Sequence, residues 1–170
     1  MAMPIRTLTL ALVAATAQGC TSTSPQAPEP ASGVVRLQLI FNSTQCGQYS
    51  GGASVTLVSA PGQWANAWRR ITSSMVPAPA LPEMDFSTTR IAVVSGGRFT
   101  TGGYGLQLRA DTAKMEEGVL RLPVAVTQPT PGNAVPQAMT TPCLAITFHA
   151  PAVTRVEALG VASAPNTQFR

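Results

Sequence analysis

Side chains able to do covalent or ionic chemistry are few in this chain: three cysteines, one histidine and seven carboxylates among 170 residues. A nucleophilic triad needs Ser or Cys, a base, and a group that orients the base. His149 is the sole imidazole. It follows Phe148 at the end of an alternating segment, on the face of Cys143, Ala145 and Thr147, and no carboxylate neighbour is predicted for it. It reads as a surface or partly packed residue. No G-x-S-x-G elbow occurs. Glu116 and Glu117 adjoin in a turn-like segment, so they point apart and make a poor acid/base pair. Asp85 lies between proline-rich backbone and Phe86 and reads as a turn or capping carboxylate. With one histidine and no C-x-x-C, a zinc site lacks its ligands. Catalysis, a metal and a cofactor are therefore not expected.

The cysteines carry the clearest signal. Residues 1–20 read MAMPIRTLTLALVAATAQGC. Arg6 is a positive n-region, and Leu8 to Ala17 form a short apolar stretch of signal-peptide length. That stretch is too short to cross a bilayer as a helix. The segment ends Ala17-Gln18-Gly19-Cys20, which resembles a bacterial lipobox. The resemblance implies that Cys20 takes a lipid and becomes the first residue of the mature chain. Leu is more usual at the position of Ala17 and a small residue at that of Gln18, so cleavage after Ala17 or Gly19 to a soluble product is the rival reading. The domain limits expected are a leader at 1–19, a lipidated Cys20 with a tether at 20–33, and a β-rich domain at 34–170. Thr21 to Gly33 is rich in Ser, Thr and Pro and cannot bury enough surface to order itself. By resemblance to bacterial sorting signals, Thr21 in place of Asp permits transfer to the outer membrane, facing the periplasm.

Lipidation of Cys20 leaves Cys46 and Cys143, an even pair in an oxidising compartment. A Cys46–Cys143 disulfide is expected, closing a loop of about a hundred residues for roughly 4–5 kcal/mol of chain entropy. Two buried free thiols remain the alternative.

Charge excludes another class of function. The net charge is +4, and loss of Arg6 with the leader makes it +3. The basic residues are scattered from Arg36 to Arg170, without the stripe interleaved with aromatics that nucleic acid requires. Charged residues are only 11% of the chain, while 14 Gly and 15 Pro make turns frequent. That composition disfavours long helices.

The elements follow from periodicity. Val34 to Phe41 alternates, with Val35, Leu37, Leu39 and Phe41 on one face. Asn42 to Gly52 is a turn-rich loop, and Ser54 to Val58 a short strand. Pro61 to Met75 is the one helical candidate: Trp64, Trp68, Ile71 and Met75 form a stripe, and Pro61 suits a first turn. A tryptophan pair at helical spacing anchors a helix on a sheet more often than it stacks on glycans. Val76 to Glu83 is an extended proline loop. Further strands are expected at Arg90–Ser95, Tyr104–Ala110, Val119–Thr127, around Leu144–Phe148 and at Val153–Val161. Asp111–Gly118 reads as a charged turn. About seven strands and one helix suggest a mainly β domain, an antiparallel sandwich or open barrel with the helix packed on it. Between two of the strands, Ser95 to Gly103 reads SGGRFTTGG. This lacks the phosphate-loop pattern and fits a tight connection needing positive φ. Loops on a rigid β scaffold are where binding sits. Arg98, Phe99, Thr101, Gly102, Gly103 and Tyr104 are the candidate contact residues.

The order of motifs adds a resemblance. Cys46 is followed by a W-x-x-x-W helix, then Asp85-Phe86 and an apolar strand. Thr101-Gly102-Gly103-Tyr104 comes next, then Pro131-Gly132 and Thr141-Pro142-Cys143. From about Cys46 to Phe148 this resembles the PrcB C-terminal domain family. The family implies a small extracytoplasmic β domain, often lipid-anchored, without known catalysis. Its named member associates with an exported protease. The resemblance thus implies a membrane-anchored protein with a protein partner, as the accessory subunit of an exported protease. The turn TTGGY also resembles the T-T-G-Y loop of chagasin-like protease inhibitors, which makes inhibition the second reading. Small-ligand or glycan binding through Trp64 and Trp68 is the third.

Overall fold

The computed structural model describes residues 32–47 and 51–165. Cys20, the leader and almost all of the tether lie outside them, so the lipidation site is not among the described residues.

The most apolar strands lie at the centre. β8 (Cys143–Phe148) is buried at all six positions, and so is β3 (Arg90–Ser95). They pair with each other antiparallel, and β8 also pairs with β1 (Gly33–Ser43). β2 (Ser54–Val58) flanks β3. On the other side of β1 come β5 (Thr112–Glu116), β6 (Val119–Arg121), β9 (Arg155–Ala158) and β10 (Val161–Ala162). These eight strands form one sheet that coils until β2 approaches β9 and β10, an open barrel. All pairings in it are antiparallel except that of β6 with β9. β4 (Gly105–Leu108) and β7 (Val124–Thr127) form a separate two-stranded ribbon.

Period-2 burial divides the sheet into two faces. Inward lie Val35, Leu37, Ala92, Val94, Leu120, Leu144, Ile146, Phe148 and Val156, with the ribbon's Leu106 packed among them. Outward, Ile91, Val93, Cys143 and Ala145 meet α1 (Pro61–Ile71) through Trp64, Trp68 and Ile71. Both indole N–H groups are satisfied by the proline loop: Trp64 donates to the Pro82 carbonyl at 3.0 Å and Trp68 to that of Pro79 at 3.1 Å. The loop is thereby strapped over the helix.

Four expectations are corrected. β1 does not keep one face, because its register shifts between Leu39 and Phe41. That bulge turns Phe41 to the helix side, where it meets Trp68 edge-on at 5.2 Å, and leaves Leu39 42% exposed. The helix stops at Ile71 rather than Met75, because the backbone leaves helical geometry at Thr72 (φ −101°, ψ 3°) and the following bonds tighten to i−3, from the Ser73 N–H to the Arg70 carbonyl and from the Met75 N–H to that of Thr72. Asp111–Gly118 contains a strand, β5, with Ala113 and Met115 inward, and only Glu117-Gly118 turns. Val119–Thr127 is two strands, β6 and β7, in different sheets. Pro123 divides them by removing a ladder donor.

Candidate docking face

Cys46 and Cys143 are joined, with Cα atoms 5.8 Å apart, and both are fully buried against the helix. The bond sits at the root of three loops. Beside it, the Cys46 N–H donates to the Thr141 carbonyl at 3.0 Å, and the Thr141 N–H to the Thr44 carbonyl at 3.0 Å. This fastens the loop after β1 to the long loop that precedes β8.

The glycine-rich loop 96–104 is fastened to the same long loop. Phe99 and Thr140 exchange backbone hydrogen bonds at 2.8 and 3.0 Å. The Thr140 hydroxyl donates to the Thr101 carbonyl at 3.0 Å, and the Gly102 N–H to the Pro136 carbonyl at 2.8 Å. Two glycines allow this approach. Gly97 has φ +83°, and a Cβ there would come within 2.8 Å of the Gly52 backbone. Gly102 is buried, and a Cβ would meet the Pro136 ring at 2.9 Å.

The clamped loops present a specific surface. Phe99 and Tyr104 stack face to face, with centroids 4.2 Å apart and planes 6° from parallel. Both are half-buried, so part of each ring faces solvent. Met139 is 53% exposed on the neighbouring loop, where its carbonyl accepts from Gln45 Nε2 at 2.8 Å. Arg98 is exposed. Neither 96–104 nor 128–142 contains an Asp or Glu. Apolar atoms clustered on such a surface characterise protein contact sites.

The structure therefore brings Phe99 and Tyr104 together, leaves Arg98 and Gly103 exposed on the same loop, and uses Thr101 and Gly102 as fasteners. Gln128 to Pro142 reads in sequence as a long Pro/Gly loop, but neither its fastening to 96–104 nor the exposure of Met139 was apparent there. The signal available was a lone large apolar residue in a polar, proline-rich stretch.

Elsewhere, the chemistry-bearing residues stay apart. Trp64 and Trp68 are 2% and 6% exposed and offer no open stacking platform. Asp85 accepts from the Ser87 hydroxyl at 2.6 Å and the Ser87 N–H at 2.9 Å, the turn role expected of it. Those bonds, the hydroxyl first, hold its carboxyl below the usual range, and His149 adds a weaker pull in the same direction. His149 is exposed, with Nδ1 3.4 Å from the Thr89 hydroxyl, and Thr89 is buried. It borders a cleft of about 380 Å³ lined also by Arg36, Gln38 and Asp111. The Glu116 carboxylate pairs with Arg121 at 2.6 Å, and Arg121 reaches Glu157 at 3.1 Å. Among the described residues no three His, Cys, Asp or Glu side chains converge as metal ligands, and no helix is long and apolar enough to cross a membrane.

Fold and face together define a small, mainly β domain with a disulfide-clamped loop surface. Residues 91–149, from β3 to just past the end of β8, match the family model described as PrcB C-terminal, the family that the order of motifs resembles. The matched stretch contains the 96–104 loop, the ribbon and Cys143, whereas α1, Asp85 and Cys46 precede it. No curated protein and no solved structure matches the chain.

Proposed function

We propose that this chain is a non-catalytic bacterial envelope lipoprotein that holds a protein partner on the face around Phe99, Tyr104 and Met139. Cys20 carries the lipid and anchors the domain at the outer membrane, facing the periplasm. The partner class that the family resemblance implies is an exported protease. The observation that carries the reading is the parallel, part-exposed Phe99–Tyr104 pair on loops fixed by a buried disulfide, with Met139 exposed on the neighbouring loop. Rigid aromatic anchors bind with little loss of side-chain entropy.

Direct inhibition through the TTGGY turn is less well supported. An inhibitory wedge must project into a cleft, but Gly102 lies buried beneath Pro136 and its N–H is already bonded. Glycan stacking on Trp64 and Trp68 is opposed by their burial.

The test uses the full chain with its own leader, made in a bacterial envelope, with a photo-crosslinking residue at position 139. Mass spectrometry of the bait should show an acylated Cys20. A single envelope protein should crosslink, and Phe99→Ala should remove that crosslink while leaving the fold intact. A crosslinking pattern indifferent to Phe99→Ala and Tyr104→Ala would overturn the docking face. An unmodified Cys20 would overturn the anchor alone.

A further inference from the structure

The β4–β7 ribbon has one edge covered and one edge open. Its register pairs Gly105 with Thr127, Leu106 with Val126, Gln107 with Ala125 and Leu108 with Val124. The Arg109 N–H donates to the Pro123 carbonyl at 2.7 Å, which marks that pair as hydrogen-bonded. Alternation then makes 107/125 and 105/127 the bonded pairs and turns the backbone groups of Leu106 and Val126 outward. On the β4 side, the outward Leu106 carbonyl accepts from Asn42 Nδ2 at 3.3 Å. On the β7 side, the Val126 N–H and C=O have no partner among the described residues. Val126 is half-buried, and backbone groups in such places are ordinarily bonded.

Edge strands that must stay unpaired usually carry a charge or a bulge. β7 reads Val-Ala-Val-Thr and has neither, with Pro123 and Pro129 only bounding it. Exposed arginines stand at both ends of the ribbon: Arg109 beside Pro123, and Arg98 beside the Phe99–Tyr104 stack. Among the described residues neither is in an ion pair, and residues 96–109 and 123–142 contain no Asp or Glu.

We infer that β7 accepts an extended segment of a partner polypeptide as a third strand, a short apolar stretch flanked by acidic residues. The inference rests on the docking-face reading and deepens it, because the added strand ends beside the aromatic stack. A partner residue opposite Val126 exchanges both backbone hydrogen bonds with it, and the flanking carboxylates meet Arg98 and Arg109.

The probe is a synthetic peptide of alternating Thr and Val with two Asp at each end. A second copy is N-methylated at alternate residues, so that it cannot donate along one edge. Binding is read by fluorescence anisotropy and by amide exchange at Val126. The first peptide should bind and slow Val126 exchange at least about tenfold, and the N-methylated copy should bind at least about tenfold more weakly. Arg98→Ala and Arg109→Ala should each lower affinity up to about fivefold, an effect that vanishes when Ser replaces Asp in the peptide. Gln128→Pro, which removes the next outward N–H from an exposed position, should weaken binding without lowering the melting temperature. Equal affinity for the N-methylated copy, absence of Val126 protection, or absence of binding at millimolar peptide would each overturn strand addition. The Phe99→Ala crosslinking result stands or falls separately. Val126 protected without peptide, with mass doubling at high concentration, would also overturn it, in favour of a second copy of this chain on β7.

Discussion

Removing the Cys46–Cys143 bond should cost this domain a large part of its stability. The bridge spans 97 positions. In the chain-entropy model a loop of that length loses about 16 cal/mol/K on cross-linking, or roughly 4–5 kcal/mol at room temperature. Cys46→Ala/Cys143→Ala releases that constraint and leaves a small gap against Trp64 and Ile71 in the helix-facing core. Against a typical total of about 5–15 kcal/mol, the variant is at best marginally folded. Urea unfolding followed by tryptophan fluorescence measures the change. With a slope of about 2 kcal/mol/M the midpoint should fall by roughly 2 M. The slope itself should rise, because the unfolded chain becomes more expanded without its cross-link. Thiol titration of the denatured wild type should find neither Cys46 nor Cys143 free. A loss under about 1 kcal/mol, with the bond demonstrably present in the parent, would refute the entropic account. Free thiols in the parent would refute the pairing.

Other consequences can be checked on the same protein. Gly97→Ala should destabilise more than Gly132→Ala. Both residues have positive φ, worth about 1–2 kcal/mol to a side chain, but only Gly97 also faces a backbone within 2.8 Å; comparable losses in urea would contradict this. Glu117→Asn should stabilise by about 0.5–1 kcal/mol, since Glu117 and Gly118 form the β5–β6 turn with φ +52° and +77° and Asn tolerates that region; thermal melting reads the gain. Because the Ser87 bonds lower the Asp85 pKa in the folded state, their stabilising effect is present above the unfolded pKa and is lost as pH falls below it. NMR titration of the Asp85 carboxyl should therefore show a depressed pKa that returns upward in Ser87→Ala.

Much of the barrel was legible because its strands alternate or are wholly apolar. Ser54–Val58 and Arg90–Ser95 have the limits that their residues suggest. The stripe of Trp64, Trp68 and Ile71 forecast both the helix and its buried face. What escaped was decided by long-range partners. Phe41 looks like one more residue in the Val35–Leu37–Leu39 row until the bulge opposite Ala145 reverses it. Thr112 to Glu116 looks like a charged turn because Lys114 and Glu116 face outward, while its inward residues, Ala113 and Met115, are less apolar than those of its neighbours. In the docking face, the glycine loop could be picked out from its composition. Its counterpart, Met139 to Thr141, depends on contacts across more than thirty residues of chain, which no local pattern encodes.

Why the face should bind at all follows from how little of it is free to move. A loop of the length of 128–142, with four prolines and no regular structure, would ordinarily lose much conformational entropy on meeting a partner. Here that cost is met during folding. Pro136 is held by Gly102, Thr140 by Phe99 and Thr101, and Thr141 by Thr44, Cys46 and Gly47. Directly after them, Cys143 begins the most buried strand of the domain. The Phe99–Tyr104 pair is thus arranged before any partner arrives, and association has mainly to order side chains such as Met139 and Arg98. Loosening one fastener should then weaken binding by more than it weakens the fold. Thr140→Val is the sharpest such change, since it removes the hydroxyl bond to Thr101 while keeping the shape. Affinity for the partner should fall at least about tenfold, or about 1.4 kcal/mol, while the urea midpoint moves by no more than the equivalent of about 1 kcal/mol. Equal proportional losses in both would mean that the face is not preorganised.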